Sequence, residues 1–87
     1  MRARLKKYSK ERDEMLKKRS VAEYRKFIND HKDFYTPSYI DDFNKAPDDL
    51  LEVALHKMIV NAPRLPKDLR DKSAFWLLSH GYDLYIK

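Results

Sequence analysis

The sequence predicts an all-α fold, a small bundle of four to five helices in a single domain. Three observations lead to this prediction. The chain has 87 residues, which is long enough for one domain with a buried core and too short for two. It contains one glycine and four prolines, too few turn residues for a hairpin-rich β fold. Apolar residues also recur at helical spacing along most of the chain.

The first segment is predicted to be a helix over about residues 3 to 18, with a narrow apolar stripe. Arg12 fills a gap in that stripe, and most of the other positions are charged. Opposite charges four residues apart should add about 0.2 to 0.5 kcal/mol per pair to such a helix. The stripe residues are Leu5, Tyr8, Met15 and Leu16, and the expected pairs are Lys7–Glu11, Lys10–Glu14, Asp13–Lys17 and Glu14–Lys18.

A second helix is predicted to begin at Ser20, because Ser20 and Glu23 have the spacing of a capping box. A third should begin at Pro37, with Thr36 as its N-cap, and end near Asn44. The second helix has a broader core-facing side than the first. That side comprises Val21, Tyr24, Phe27, Ile28 and His31.

Residues 47 to 60 are expected to form the central helix, because they are apolar around most of the circumference. Asn61 is a candidate left-handed C-cap, and Pro66 begins the last helix. Gly81 should end that helix in the left-handed region, and the tail 83–87 is apolar enough to pack. The core-facing side of the last helix is predicted to contain Leu69, Ser73, Trp76, Leu77 and His80, flanked by Phe75 and Leu78.

The net charge of +5 is concentrated in one segment. Residues 1–19 hold nine basic and three acidic residues, a net +6, and the rest of the chain carries −1. We therefore divide the chain into a basic N-terminal helix, 1–19, acting as an arm, and a compact helical domain, 20–87. Lysine and arginine neutralise phosphates or acidic protein surfaces, and Tyr8 could stack on a base. The predicted contact residues of the arm are Arg2, Arg4, Lys6, Lys7, Tyr8, Lys10, Arg12, Lys17, Lys18 and Arg19.

A second predicted contact surface is aromatic. Six tyrosines are many for this length, and tyrosine is common at protein interfaces. The alternative is that these rings cover the ends of a small bundle. The predicted aromatic surface comprises Phe34, Tyr35, Tyr39, Tyr82 and Tyr85.

No constellation of residues predicts catalysis, a cofactor or a metal. The chain has no cysteine, and its three histidines lack metal-ligand spacing. Gly81 has no companion for a nucleophile elbow or a phosphate loop. We therefore expect a protein that is not an enzyme. With no membrane span, secretory signal or cysteine, it is expected to be cytoplasmic.

These patterns lead to the hypothesis of a protein-binding accessory or inhibitor whose partner is a protein or a nucleoprotein machine, with no membrane contact. Short, cysteine-free chains rich in lysine and tyrosine are common among phage and mobile-element proteins that act on a host. The alternative is a small RNA- or DNA-binding protein that uses the basic helix. A third hypothesis is self-assembly, in which the basic arm of one chain docks on the region from Asp41 to Glu52 of another.

Overall fold

The all-α prediction is confirmed. The computed structural model describes residues 2–85, with side chains described from Leu5 onward. Within that range there are five α-helices, two short 3-10 helices and no β-strand. The α-helices are α1 (Arg2–Lys18), α2 (Val21–Asp30), α3 (Pro37–Lys45), α4 (Leu51–Val60) and α5 (Lys67–Ser79), and the 3-10 helices are Lys32–Phe34 and Asp48–Leu50.

The core is built around α4, as its apolar circumference predicts. This helix packs against α2, α3 and α5, and Leu51, Leu55 and Ile59 are fully buried. The expected single helix over 47–60 is divided, however. Pro47 is extended, and its carbonyl accepts from the amide of Leu50 at 3.0 Å, which closes a 3-10 turn before α4 begins.

The basic helix α1 packs on the bundle, with contacts to α2. Tyr8 is fully buried, and Arg12 and Met15 are each 4% exposed. The narrow apolar stripe is therefore sufficient to dock the helix, and the arginine in its gap is buried with it. The side chains of Arg2 and Arg4 lie outside the described part of the chain.

Local signals fix several helix ends. The Ser20 hydroxyl accepts from the amide of Glu23 at 3.5 Å, and Thr36 and Pro37 stand at the N-cap and first position of α3. Gly81 has φ of +81°, and the amides of Gly81 and Tyr82 donate to the carbonyls of Leu78 and Leu77. These two bonds form a Schellman motif, which satisfies carbonyls at the end of α5.

Two helix ends differ from the predictions. Asn61 is not left-handed, since its φ is −95°; its side-chain amide instead donates to the carbonyls of Lys57 and Leu84. Arg19, between α1 and α2, has a left-handed φ of +50°. The sequence pattern gave no reason to expect this, because a non-glycine residue pays a steric cost in that region.

Candidate interaction surfaces

Three polar side chains from three helices meet inside the bundle. Arg12 Nη2 donates to Ser73 Oγ at 3.3 Å, and His56 Nδ1 lies 3.0 Å from the same hydroxyl oxygen. Arg12 Nη1 donates to Asp13 at 3.4 Å. Arg12 Nε and His56 Nε2 are buried without a hydrogen-bond partner among the described residues. This polar cluster of Arg12, His56 and Ser73 therefore joins α1, α4 and α5 with several weak or unmade hydrogen bonds.

The serine and histidine of this cluster do not form a usable nucleophile and base. Burial, assisted by the charges of Arg12 and His80, lowers the pKa of His56 to about 4. An imidazole of such low basicity is a weak general base near neutral pH. Ser73 is fully buried, so an external substrate has no path to its hydroxyl. The cluster acts within the fold as a hydrogen-bonding element.

Two residues of the predicted aromatic surface are in the core. Phe34 and Tyr35 are buried, and the hydroxyl of Tyr35 lies 2.7 Å from that of Tyr8. Burial raises the pKa of Tyr8 to about 12 and raises the pKa of Tyr35. Each tyrosine hydroxyl has the other as its hydrogen-bond partner, which explains how both tolerate burial. Tyr8, Phe34 and Tyr35 are thus removed from the candidate contact surfaces.

The other predicted aromatic residues remain at or near the surface. Tyr39 is half-buried, Tyr82 is 39% exposed and Tyr85 is 75% exposed. Tyr39 and Tyr85 both line a small groove between α3 and α4, with a volume of about 180 Å³. The tail beside them is tied to α4, because Lys57 pairs with Asp83 at 3.1 Å. The tail is expected to pack: Leu84 is half-buried and Tyr85 is exposed, and Ile86 and Lys87 lie outside the described residues.

The largest exposed apolar side chains of α5 are Phe75 and Leu78, at 75% and 62% exposure. They are three residues apart and therefore neighbours on one side of the helix. We call this pair the α5 outer face. The helical pattern predicts both residues at the flanks of the core-facing side of α5, and the structure places them in solvent. The sequence feature that indicates their exposure is their position around the helix, which differs from that of the buried residues Leu69, Ser73 and Leu77.

A stack of rings adjoins the α5 outer face. Trp76 lies between His56 and His80, with ring centroids 4.2 Å and 4.0 Å away and near-parallel planes. His80 Nδ1 also lies 2.7 Å from the carbonyl of Trp76, so the exposed end of the stack is fixed to the helix. The stack holds Trp76 and the end of α5 in one orientation.

The exposed cations of α1 are less compensated than the sequence predicts. None of the four expected pairs along the helix is formed between described residues. Glu11 instead lies 2.7 Å from His31 of α2, and Asp13 pairs with buried Arg12. Lys18 pairs with Glu23 at 3.9 Å. The exposed lysines without an ion pair to any described residue are Lys6, Lys7, Lys10 and Lys17, and Arg19 is also exposed.

A search of the described residues for groups of three or more potential metal ligands finds none. Over the same residues, no helix combines the length and the apolar character needed to cross a membrane. Comparisons with family models, curated proteins and solved structures find no match to this chain.

Proposed function

We propose that this protein is a non-catalytic accessory or inhibitor that binds another protein through the α5 outer face, and that it works in the cytoplasm. The observation that supports the proposal is the exposure of Phe75 and Leu78, one turn apart on a helix whose opposite side is anchored in the core. Phenylalanine is enriched at protein interfaces, and adjacent exposed apolar side chains favour burial against a partner.

The surroundings of this face are those of a rigid binding element. The Schellman motif at Gly81 closes the helix after Ser79, one residue beyond Leu78, and the Trp76 stack holds its last turn. Little conformational entropy is then lost when a partner packs on the face, which favours affinity. The partner expected from this chemistry is a protein with an apolar groove able to receive one aromatic and one aliphatic side chain.

The experiment is a pull-down from host lysate with the full chain, with and without nuclease. The test variant carries Phe75→Ser and Leu78→Ser, and the matched control carries Asp71→Ser and Lys72→Ser, two exposed positions on the same helix. We expect a protein that survives nuclease and is lost only with the test variant. The proposal is contradicted if no captured protein survives nuclease, or if the test and control variants capture the nuclease-resistant protein equally.

Truncation of α1 is not a suitable test. Tyr8 and Met15 are part of the core, so a chain that begins at Ser20 loses buried contacts as well as charge. Surface substitutions leave those contacts in place, and circular dichroism spectra of each variant verify that the helical content is unchanged.

A further inference from the structure

We propose that the solvent face of α1 is a second binding surface, and that it docks on the phosphate backbone of duplex DNA without reading sequence. This surface is separate from the α5 outer face. Lys6, Lys10 and Lys17 project within about 40° of one another around the helix and span about 16 Å along its axis. All three are exposed, and we call them the lysine stripe.

Among the described residues, no carboxylate of α1 forms an ion pair with a lysine of the lysine stripe. Glu11 is engaged by His31 and Asp13 by Arg12, and neither pairs with a lysine of the stripe. Glu14 is exposed at the edge of the stripe and pairs with no lysine among the described residues. The face therefore presents a row of positive charges, and counterions that leave phosphates on binding provide the driving force.

The composition of the face favours a phosphate backbone over an acidic protein. Lysine is depleted at protein interfaces, which instead use buried aromatic and aliphatic anchors. The large apolar residues of α1 cannot serve as anchors, because Tyr8 and Met15 are in the core and Leu5 and Leu16 are partly buried against it. A face of lysines without an anchor matches a polyanion.

Burial of Tyr8 and Arg12 also decides how nucleic acid is recognised. Tyr8 is the aromatic residue of α1 and Arg12 is buried in the polar cluster, so neither reaches a base from this side. Binding of single strands usually requires aromatic stacking platforms, and the described part of α1 offers none on this face. The expected ligand is therefore duplex DNA, held through phosphates.

The test measures the binding of the full chain to a fluorescent 20-base-pair duplex by anisotropy between 50 and 200 mM salt. Three phosphate contacts predict a slope of log K against log salt of about −2.7, a fall in affinity of about 40-fold over that range. Lys10→Gln should reduce the magnitude of the slope by about 0.9. Lys72→Gln removes an exposed lysine of α5 and should leave the slope unchanged.

Two further probes make the outcome decisive: oligo-dT of equal length and polyglutamate. Preference for the duplex supports the proposal. Equal or tighter binding of polyglutamate or oligo-dT overturns it, as does no duplex binding at 50 mM salt or a slope insensitive to Lys10→Gln. The variant with Phe75→Ser and Leu78→Ser should bind the duplex normally, so failure of one surface is distinguishable from failure of the other.

Discussion

Acidification should destabilise this fold through His56. The imidazole is 2% exposed, and burial lowers its pKa from 6.5 to about 4. As the pH falls below 6.5, the unfolded chain binds a proton at this position and the folded chain does not. The contribution of neutral His56 to the free energy of unfolding is therefore fully present above about pH 6.5 and is lost as the pH falls towards 4.

The size of the effect follows from the difference in pKa between the two states. A difference of about 2.5 units at 1.36 kcal/mol per unit amounts to about 3 kcal/mol in the free energy of unfolding. About 2 kcal/mol of this is lost already at pH 5. Such a loss is a large fraction of the stability of a typical domain.

The assay is urea denaturation followed by far-ultraviolet circular dichroism at pH 7, 5 and 4. His56→Phe keeps a ring against Trp76 but cannot titrate, so its free energy of unfolding should fall by about 3 kcal/mol less than that of the wild type over this range. His80→Gln, at an exposed position, should retain most of the dependence. Equal pH dependence in the wild type and His56→Phe would show that His56 is not the group responsible for the loss of stability.

Three other predictions concern buried polar groups and backbone conformation. Arg12→Met should leave the urea midpoint unchanged or raise it, because a buried cation with an unpaired Nε is replaced by an apolar chain; a loss above about 1 kcal/mol would contradict this. Tyr8→Phe should cost about 1 to 3 kcal/mol by leaving the Tyr35 hydroxyl buried and unpaired, and the double variant with Tyr35→Phe should cost less than the sum of the single changes in a double-mutant cycle. Gly81→Ala should lower the free energy of unfolding by about 1 kcal/mol and Arg19→Gly should raise it by about the same amount, because both positions are left-handed. Thermal denaturation measures both changes, and midpoints that shift in the same direction would contradict this expectation.

The parts of the fold that follow from local sequence were predictable. Ser20 and Glu23 have the three-residue spacing of an N-terminal cap, and the ring of Pro37 sets a φ angle that suits the first position of a helix. Gly81 has no side chain and therefore suits a left-handed position whatever its neighbours are. The apolar circumference of α4 likewise indicates a helix surrounded by others. Each of these signals lies within a few residues of the feature that it predicts.

The contacts that define the surfaces were not predictable, because they join distant residues. Arg12 meets Ser73 across 61 positions and Tyr8 meets Tyr35 across 27. Helical spacing places Tyr8 and Arg12 on the buried side of α1, but it does not identify the distant residues that they contact. Glu11 was expected to pair along α1 and instead turns to His31 on α2. Only tertiary packing decides which charged and aromatic side chains remain outside.

In the proposed complex, Phe75 of the α5 outer face contacts the protein partner. The most direct measurement replaces Phe75 with a photoreactive phenylalanine analogue in the host cell and identifies what is cross-linked on irradiation. We expect a protein adduct of defined mass that resists nuclease and does not form from the same analogue at Lys45, an exposed position on α3. No adduct from position 75, or an adduct to nucleic acid there, would contradict it.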